Sequence, residues 1–181
     1  MYEMGQGVTQ DDKEAVKWFR KAAKQGLTFR VNVTPEFLPA LLAWDQKDYA
    51  MALRLSRPLA EQGDTWAQGL LGSMYRHGQG VPKDYAEAVK WFRKAAKQGN
   101  AGGQAMLSKM YGRGEGVLKD PVMSYVWMNV AAASGHPEII NTFNEFGDKD
   151  LAKLNASERK LALKLSKLCL DKPASCPEYS K

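Results

Sequence analysis

The chain is 181 residues long, with 44% apolar and 25% charged residues, a composition that predicts a folded globular protein and excludes extensive disorder. No apolar run approaches the roughly 20 residues that a membrane-spanning helix needs. The polar first residues lack the apolar block of a signal peptide, although removal of such a peptide stays open. The net charge of +6 is spread along the chain, so it favours acidic partners or anionic surfaces only weakly.

Two stretches, 1–26 and 74–99, have almost the same sequence. They differ only at positions 3, 4, 9, 10, 12 and 13 of the first copy, and both contain KWFRKAAKQG. They belong to a longer series in which one glycine and one aspartate recur every 36 residues. The series comprises Gly63, Gly99 and Gly135, and Asp48, Asp84 and Asp120. A fixed period in the range of roughly 20 to 50 residues indicates stacked units that bury their apolar faces against each other.

The first two units along the chain are incomplete. Residues 1–26 are predicted to form a partial repeat, with the end of a first helix (helix A) and a complete second helix (helix B). Residues 27–63 form a degenerate repeat, in which the segment LTFRVNV alternates as an extended strand does over 28–33. A short helix starting at Thr34, Pro35 and Glu36 is expected to replace helix A, and Pro58 is expected to kink the following helix B.

Residues 64–99 and 100–135 form two complete repeats, each with a helix A, a glycine turn and a helix B. Helix A of the first ends at Gly78 and Gly80, which can adopt positive φ. Helix B begins after Asp84, a favourable N-cap, and Asp120 followed by Pro121 marks the same point one repeat later. Apolar residues recur at three- and four-residue steps in both helices. They are Ala67, Leu70, Leu71, Met74 and Tyr75 in helix A, and Tyr85, Ala88, Val89, Phe92, Ala95 and Ala96 in helix B.

Residues 136–181 no longer follow the repeat and are predicted to form C-terminal capping helices and a tail. In 156–171, Leu161, Leu165 and Leu168 share one helical face, which indicates a terminal capping helix. Ser157 is expected to be its N-cap. The whole chain is predicted to be one continuous domain.

The segment LLGSMYRHGQGVPKDYAEAVKWFRKAAKQGNA resembles the Sel-1-like repeat, a relative of the tetratricopeptide repeat with a longer loop between its helices. The resemblance covers 74–99 almost position for position and 1–26 from the middle of a unit onward. It is looser over 48–63, where Leu55 and Ser56 replace the Trp-Phe pair, and absent over 27–47. In 107–135 it rests on Leu107, Met110, Tyr111, Gly114, Gly116, Val117, Asp120, Trp127, Ala131 and Ala132.

The resemblance implies an all-α fold, a right-handed α/α solenoid of 36-residue helix-turn-helix repeats that acts as an adaptor. The ending is similar to those of bacterial secreted members, which implies a periplasmic or secreted protein, with a cytoplasmic one as the alternative. Cys169 and Cys176 are the chain's two cysteines, and their spacing fits no common zinc or redox pattern. Two unrelated thiols and a local disulfide between tail and last helix both fit that spacing. A disulfide would agree with a compartment outside the reducing cytosol.

No catalytic, metal or cofactor site is predicted. Gly78-Gln79-Gly80 and Gly114-Glu115-Gly116 lack the preceding strand and third glycine of a phosphate-binding loop, and are interpreted as turns. His77 and His136 lack spaced partners for a metal site. Ser157 and Lys160 satisfy S-x-x-K, the acylation motif of penicillin-recognising enzymes, but S-D-N and K-T-G do not follow. The resemblance still implies an alternative function, an enzyme that binds or hydrolyses β-lactams or cell-wall compounds, because some cysteine-rich members of the family have been linked to penicillin binding. The repeats of this chain contain no cysteine, which disfavours that alternative.

A basic nucleic-acid-binding module is the second alternative, because helix B carries a basic stripe in two repeats. Single-strand binding needs exposed aromatics between the charges, whereas the spacing assigns at least the phenylalanines to the core. A solvated helix face is therefore the preferred interpretation. The stripes comprise Lys17, Arg20, Lys21 and Lys24, and Lys90, Arg93, Lys94 and Lys97, with Trp18, Phe19, Trp91 and Phe92 beside them.

The preferred function is non-catalytic protein or peptide binding on the concave surface formed by the A helices. The outward positions are Trp66, Ser73 and Arg76 in one repeat, and Gly102, Lys109 and Arg113 at or near the corresponding places in the next. Trp66 is either a contact between repeats or an exposed anchor, and the cations favour an acidic ligand.

The first copy of helix B raises the question of oligomeric state, because most of its helix A is missing from the chain. Its apolar face comprises Trp18, Phe19, Ala22 and Ala23, and is expected to pack on Phe37, Leu38, Leu41 and Leu42. A monomer is preferred, and a dimer that exchanges residues 1–26 is the alternative.

Overall fold

The structure is a computed structural model that describes residues 34–177 of the chain. All regular secondary structure within these residues is helical, which confirms the predicted all-α class of helix-turn-helix repeats. The helix predicted in 1–26 and the extended stretch predicted at 28–33 lie outside the described residues. The chain divides into two compact units, Met1–Lys83 and Asp84–Lys181.

The described part of the first unit consists of three helices. They are α1 (Leu38–Asp45), α2 (Tyr49–Glu61) and α3 (Thr65–His77), and α2 packs against both of the others. Helix α1 stands in for the missing helix A, but it begins at Leu38 and not at Thr34. Residues 34–37 instead form a turn, in which Phe37 N donates to Thr34 O at 3.0 Å. Pro39 explains the boundary, because a residue without an N–H fits only the first turn of a helix.

The second unit contains five helices within the described residues. They are α4 (Tyr85–Lys97), α5 (Ala101–Arg113), α6 (Pro121–Ala132), α7 (Pro137–Ala152) and α8 (Ala156–Asp171), followed by a 3-10 turn (Pro173–Ser175). Helix α5 packs on α4 and α6, and α6 also contacts α7 and α8. The 3-10 turn contacts α8 and reaches back to α4.

Aspartate and asparagine side chains fix the starts of the helices. Asp84 Oδ1 accepts from the backbone N–H groups of Ala86 and Glu87, and Asp120 Oδ1 accepts from Met123 N at 3.0 Å. The expectation that Ser157 caps α8 is wrong. Asn155 is the N-cap and forms a capping box with Glu158, in which each side chain accepts from the other residue's backbone N–H.

Each unit contains the same set of contacts between a helix B and the helix A that follows it. Gln68 Nε2 donates to Ala60 O in the first unit, and Gln104 Nε2 donates to Ala96 O in the second. Both glutamines are buried. A second pair of hydrogen bonds runs from Arg57 to Tyr75 OH and from Arg93 to Tyr111 OH. The 36-residue period is thus a period of hydrogen bonds as well as of apolar residues.

Candidate partner-binding surface

The three positions predicted on the first helix A all lie on α3. Trp66, Ser73 and Arg76 are each partly buried. His77 Nδ1 lies 2.9 Å from Ser73 O, and Arg76 Nη1 lies 3.3 Å from His77 Nε2. Because a carbonyl only accepts and a guanidinium only donates, the imidazole tautomer with its proton on Nδ1 satisfies both contacts. His77 thus bridges the carbonyl of Ser73 and the guanidinium of Arg76 at the end of the helix.

The positions predicted on the second helix A lie on α5. Gly102, Lys109 and Arg113 are exposed, and Arg113 Nη1 lies 3.6 Å from Glu115 Oε1. The opposite side of α5 faces α6, where Ser108 Oγ donates to Ser124 O at 2.7 Å. Lys109 and Arg113 are four residues apart, so they share one outward face.

Trp66, Ser73 and Arg76 belong to the first unit, whereas Lys109 and Arg113 belong to the second. The structure thus describes two separate parts of the predicted surface, each on its own helix. One part combines a large aromatic with a cation, and the other carries two exposed cations.

The basic stripe on α4 is engaged with neighbouring side chains. Lys90 donates to Glu87 Oε1, and this hydrogen bond raises the pKa of Lys90. Lys94 Nζ lies 4.1 Å from the centre of the Trp91 ring, and Phe92 is buried in the core. A ring covered by a lysine and a buried ring are poorly placed to stack on bases. The second basic stripe therefore has the character of a solvated helix face, and the first lies outside the described residues.

The glycine triplets are turns whose second glycine packs closely on another backbone segment. A Cβ on Gly80 would lie 2.7 Å from Tyr49 O, and a Cβ on Gly116 would lie 2.3 Å from Tyr85 O. Both glycines have positive φ. The space that a phosphate would need beside the loop is thus filled by the first residue of a helix.

A groove of about 330 Å³ lies between the loop before α6 and the first half of α8. It is lined by Leu118, Lys119, Asp120, Pro121, Val122, Met123, Glu158 and Leu161. Ser157 and Lys160, the residues of the S-x-x-K motif, lie outside this lining and are both exposed. No cluster of residues that could hold a metal ion occurs in the described part of the chain.

Cys169 and Cys176 form a disulfide that connects the last turn of α8 to the residue after the 3-10 turn. Both cysteines are buried. Between residues 34 and 177, no helix has the length and apolar character needed to cross a membrane.

Sequence reasoning missed the groove and the exposed Leu118 that lines it. Leu118 is 69% exposed and stands where the preceding repeat has Pro82, 36 residues earlier. Alignment of the two complete repeats would have identified Leu118 as an apolar residue in a loop, where no predicted helix face accounts for it.

These features define a class of protein, an all-α protein of helix-turn-helix repeats whose recurring glycines and glutamines serve packing. The chain belongs to the Sel1 repeat family, whose sequence pattern matches residues 1–27, 45–64, 67–100 and 101–136. This confirms the resemblance drawn from the sequence. The unmatched residues 28–44 lie within the segment that departs from the repeat.

Two solved structures are similar to the chain. One is c5321, a protective antigen present in uropathogenic Escherichia coli strains that displays an SLR fold, with 26% identity and a TM-score of 0.74 over 99% of this chain. The other is a Sel1 repeat protein from Oxalobacter formigenes, with 32% identity and a TM-score of 0.56 over 74% of this chain. The chain spans 39% of the length of each. The search of curated proteins gives no match.

Sel1 repeat proteins are generally scaffolds for protein interactions and are typically not enzymes. The similarity to the SLR fold also agrees with the solenoid class predicted from the 36-residue period.

Proposed function

We propose that this chain is a non-catalytic adaptor that binds an acidic protein segment through the outward faces of its A helices. The residues that carry the binding are Trp66, Ser73 and Arg76 on α3, and Lys109 and Arg113 on α5. Trp66 acts as an apolar anchor, and the cations select the charge of the ligand.

The observation that carries this proposal is the contrast between two repeats of one chain. Positions that hold helices together recur 36 residues apart, as Gln68 and Gln104 do with their buried hydrogen bonds. Outward positions change completely, since Trp66 corresponds to Gly102 and Ser73 to Lys109. Positions that differ between two otherwise matching repeats are those at which a ligand, and not the packing common to both repeats, can determine the residue type.

We further propose that the adaptor works in the periplasm or outside the cell. The disulfide between Cys169 and Cys176 supports this, because such bonds persist in oxidising compartments and are rare in the cytosol.

Affinity capture from a cell-envelope extract tests the proposal with four forms of the protein. They are the wild type, Trp66→Ala with Arg76→Glu, Lys109→Glu with Arg113→Glu, and Lys90→Glu with Lys94→Glu. The last pair is the matched control, because it reverses two cations at the same four-residue spacing on helix B of the same unit. We expect the partner retained by the wild type and the control to fall at least about tenfold with each helix A variant, since hot-spot residues contribute about 1.4 kcal/mol or more. Equal recovery with all four proteins, or with none, would contradict the helix A assignment.

The β-lactam alternative has less support than the adaptor. Ser157 sits exposed in the first turn of α8, with its motif partner Lys160 also exposed. A nucleophile in this setting has no enclosed site in which a substrate would be held against it.

A further inference from the structure

Four large apolar side chains are exposed in the described part of the chain, and all of them lie on or beside α8. Leu163 is 52% exposed, and Leu168 and Leu170 are each 42% exposed. The fourth, Leu118, lines the groove whose other wall is formed by Glu158 and Leu161 of α8. Three exposed leucines within eight residues of one helix exceed the scattered single apolar residues of an ordinary protein surface, and so indicate a candidate interaction surface.

The same helix presents four cations to solvent. Arg159, Lys160, Lys164 and Lys167 are all exposed, against a single exposed carboxylate at Asp171. Helical geometry places the lysines along the centre of the outward face, with Leu163 and Leu170 on one flank and Leu168 on the other.

The α4 helix provides an internal comparison, because Lys90, Lys94 and Lys97 have the same spacing as Lys160, Lys164 and Lys167. On α4, Lys90 is bonded to Glu87, Lys94 covers Trp91, and no leucine is exposed among them. On α8, the three lysines alternate with exposed leucines. The two stripes are therefore matched in charge and different in apolar content.

We propose that the outward face of α8 docks the protein on the surface of an anionic lipid bilayer. Lysines attract the anionic headgroups, and their aliphatic stems lie beside the leucines as these enter the apolar boundary. These lysines and leucines lie on the outward face of a single helix, which suits an extended, deformable partner such as a bilayer. A second copy of this face is disfavoured because four cations would oppose four cations. This docking is separate from binding at the A helices.

Vesicle co-sedimentation tests the proposal with the full chain, using vesicles of phosphatidylcholine alone and vesicles that also contain phosphatidylglycerol. We expect binding to the anionic vesicles only, and binding that weakens as salt is added. Each lysine near the surface contributes about fivefold to partitioning, so Lys160→Gln with Lys164→Gln and Lys167→Gln should weaken it about 100-fold. The variant Leu163→Ser with Leu170→Ser should weaken it about tenfold without changing the net charge.

The matched control is Lys90→Gln with Lys94→Gln and Lys97→Gln, which removes the same three charges from α4. It should bind within a few-fold of the wild type. Equal weakening by both lysine triples, equal binding to both kinds of vesicle, or wild-type binding to an acidic protein but to no vesicle would each overturn the proposal. Because all substituted α8 residues are exposed, circular dichroism should show unchanged helix content.

Discussion

Gly116 illustrates how a residue that looks functional in the sequence serves packing. It has a φ of 71°, and a Cβ built on it would lie 2.3 Å from Tyr85 O. Gly99 has a φ of 85° but has nothing within 4 Å of a built Cβ. The two glycines share the left-handed conformation and differ in the space around them.

We therefore predict that Gly116→Ala lowers the free energy of unfolding by roughly 3 kcal/mol or more, the sum of left-handed strain and a backbone clash. Gly99→Ala is the matched control and should cost only about 1 kcal/mol, because strain alone acts there. Urea denaturation with a constant m-value measures both. A larger loss for Gly99→Ala than for Gly116→Ala would contradict the packing role of the turn.

The N-caps of the helices are predicted correctly from the sequence where one suitable side chain is present, and incorrectly where two suitable side chains lie close together. Asp84 and Asp120 were identified as caps because each precedes a helical pattern after a turn. Ser157 is predicted as the N-cap of α8, whereas the cap is Asn155, which lies three residues before Glu158 and so completes a capping box. Both are good caps by type, and only the position of the glutamate distinguishes them.

At the scale of elements, the 36-residue period predicted the repeated helices, whereas helices outside the repeat could be predicted only from their own apolar spacing. The bounds of α8 agree with the predicted 156–171, because its leucines are regularly spaced. Helix α7 was not delimited, since its residues match no earlier unit. The leucine spacing predicts the buried face of α8 only in part. Leu168 was grouped with Leu161 and Leu165 but lies at the edge of the buried face and is 42% exposed.

The disulfide is the element-scale feature that joins the end of α8 to the 3-10 turn. Its cysteines are seven positions apart in the sequence, so the closed loop is short. We predict that reduction lowers the free energy of unfolding by about 2 kcal/mol, chiefly because the reduced unfolded chain gains freedom. Urea denaturation with and without reductant measures this, and Cys169→Ala with Cys176→Ala should be insensitive to reductant. Two alkylatable thiols in protein prepared without reductant would contradict the bond and remove the support for an oxidising compartment.

At the scale of the whole molecule, residues 1–26 lie outside the part of the chain that the structure describes. Their near-identity to 74–99 nevertheless allows a prediction from the buried residues of α4. In α4 the buried residues are Ala88, Val89, Phe92, Ala95 and Ala96. The first copy has the same residue types at Ala15, Val16, Phe19, Ala22 and Ala23. By this correspondence, the first copy also has an apolar face that must be covered, either within the chain or by another chain.

We predict that the full chain is a monomer in light scattering and that Phe19→Ala lowers its free energy of unfolding by about 3 kcal/mol, as for a buried phenylalanine. Lys17→Ala, on the polar side of the same stretch, is the control and should change it by less than about 0.5 kcal/mol. If residues 1–26 pack within the chain, the urea midpoint is independent of protein concentration. If they pack on another chain, the midpoint rises with concentration, because association stabilises the folded form by mass action. A dimer that becomes a monomer when residues 1–26 are deleted would establish the exchanged arrangement in place of the monomer.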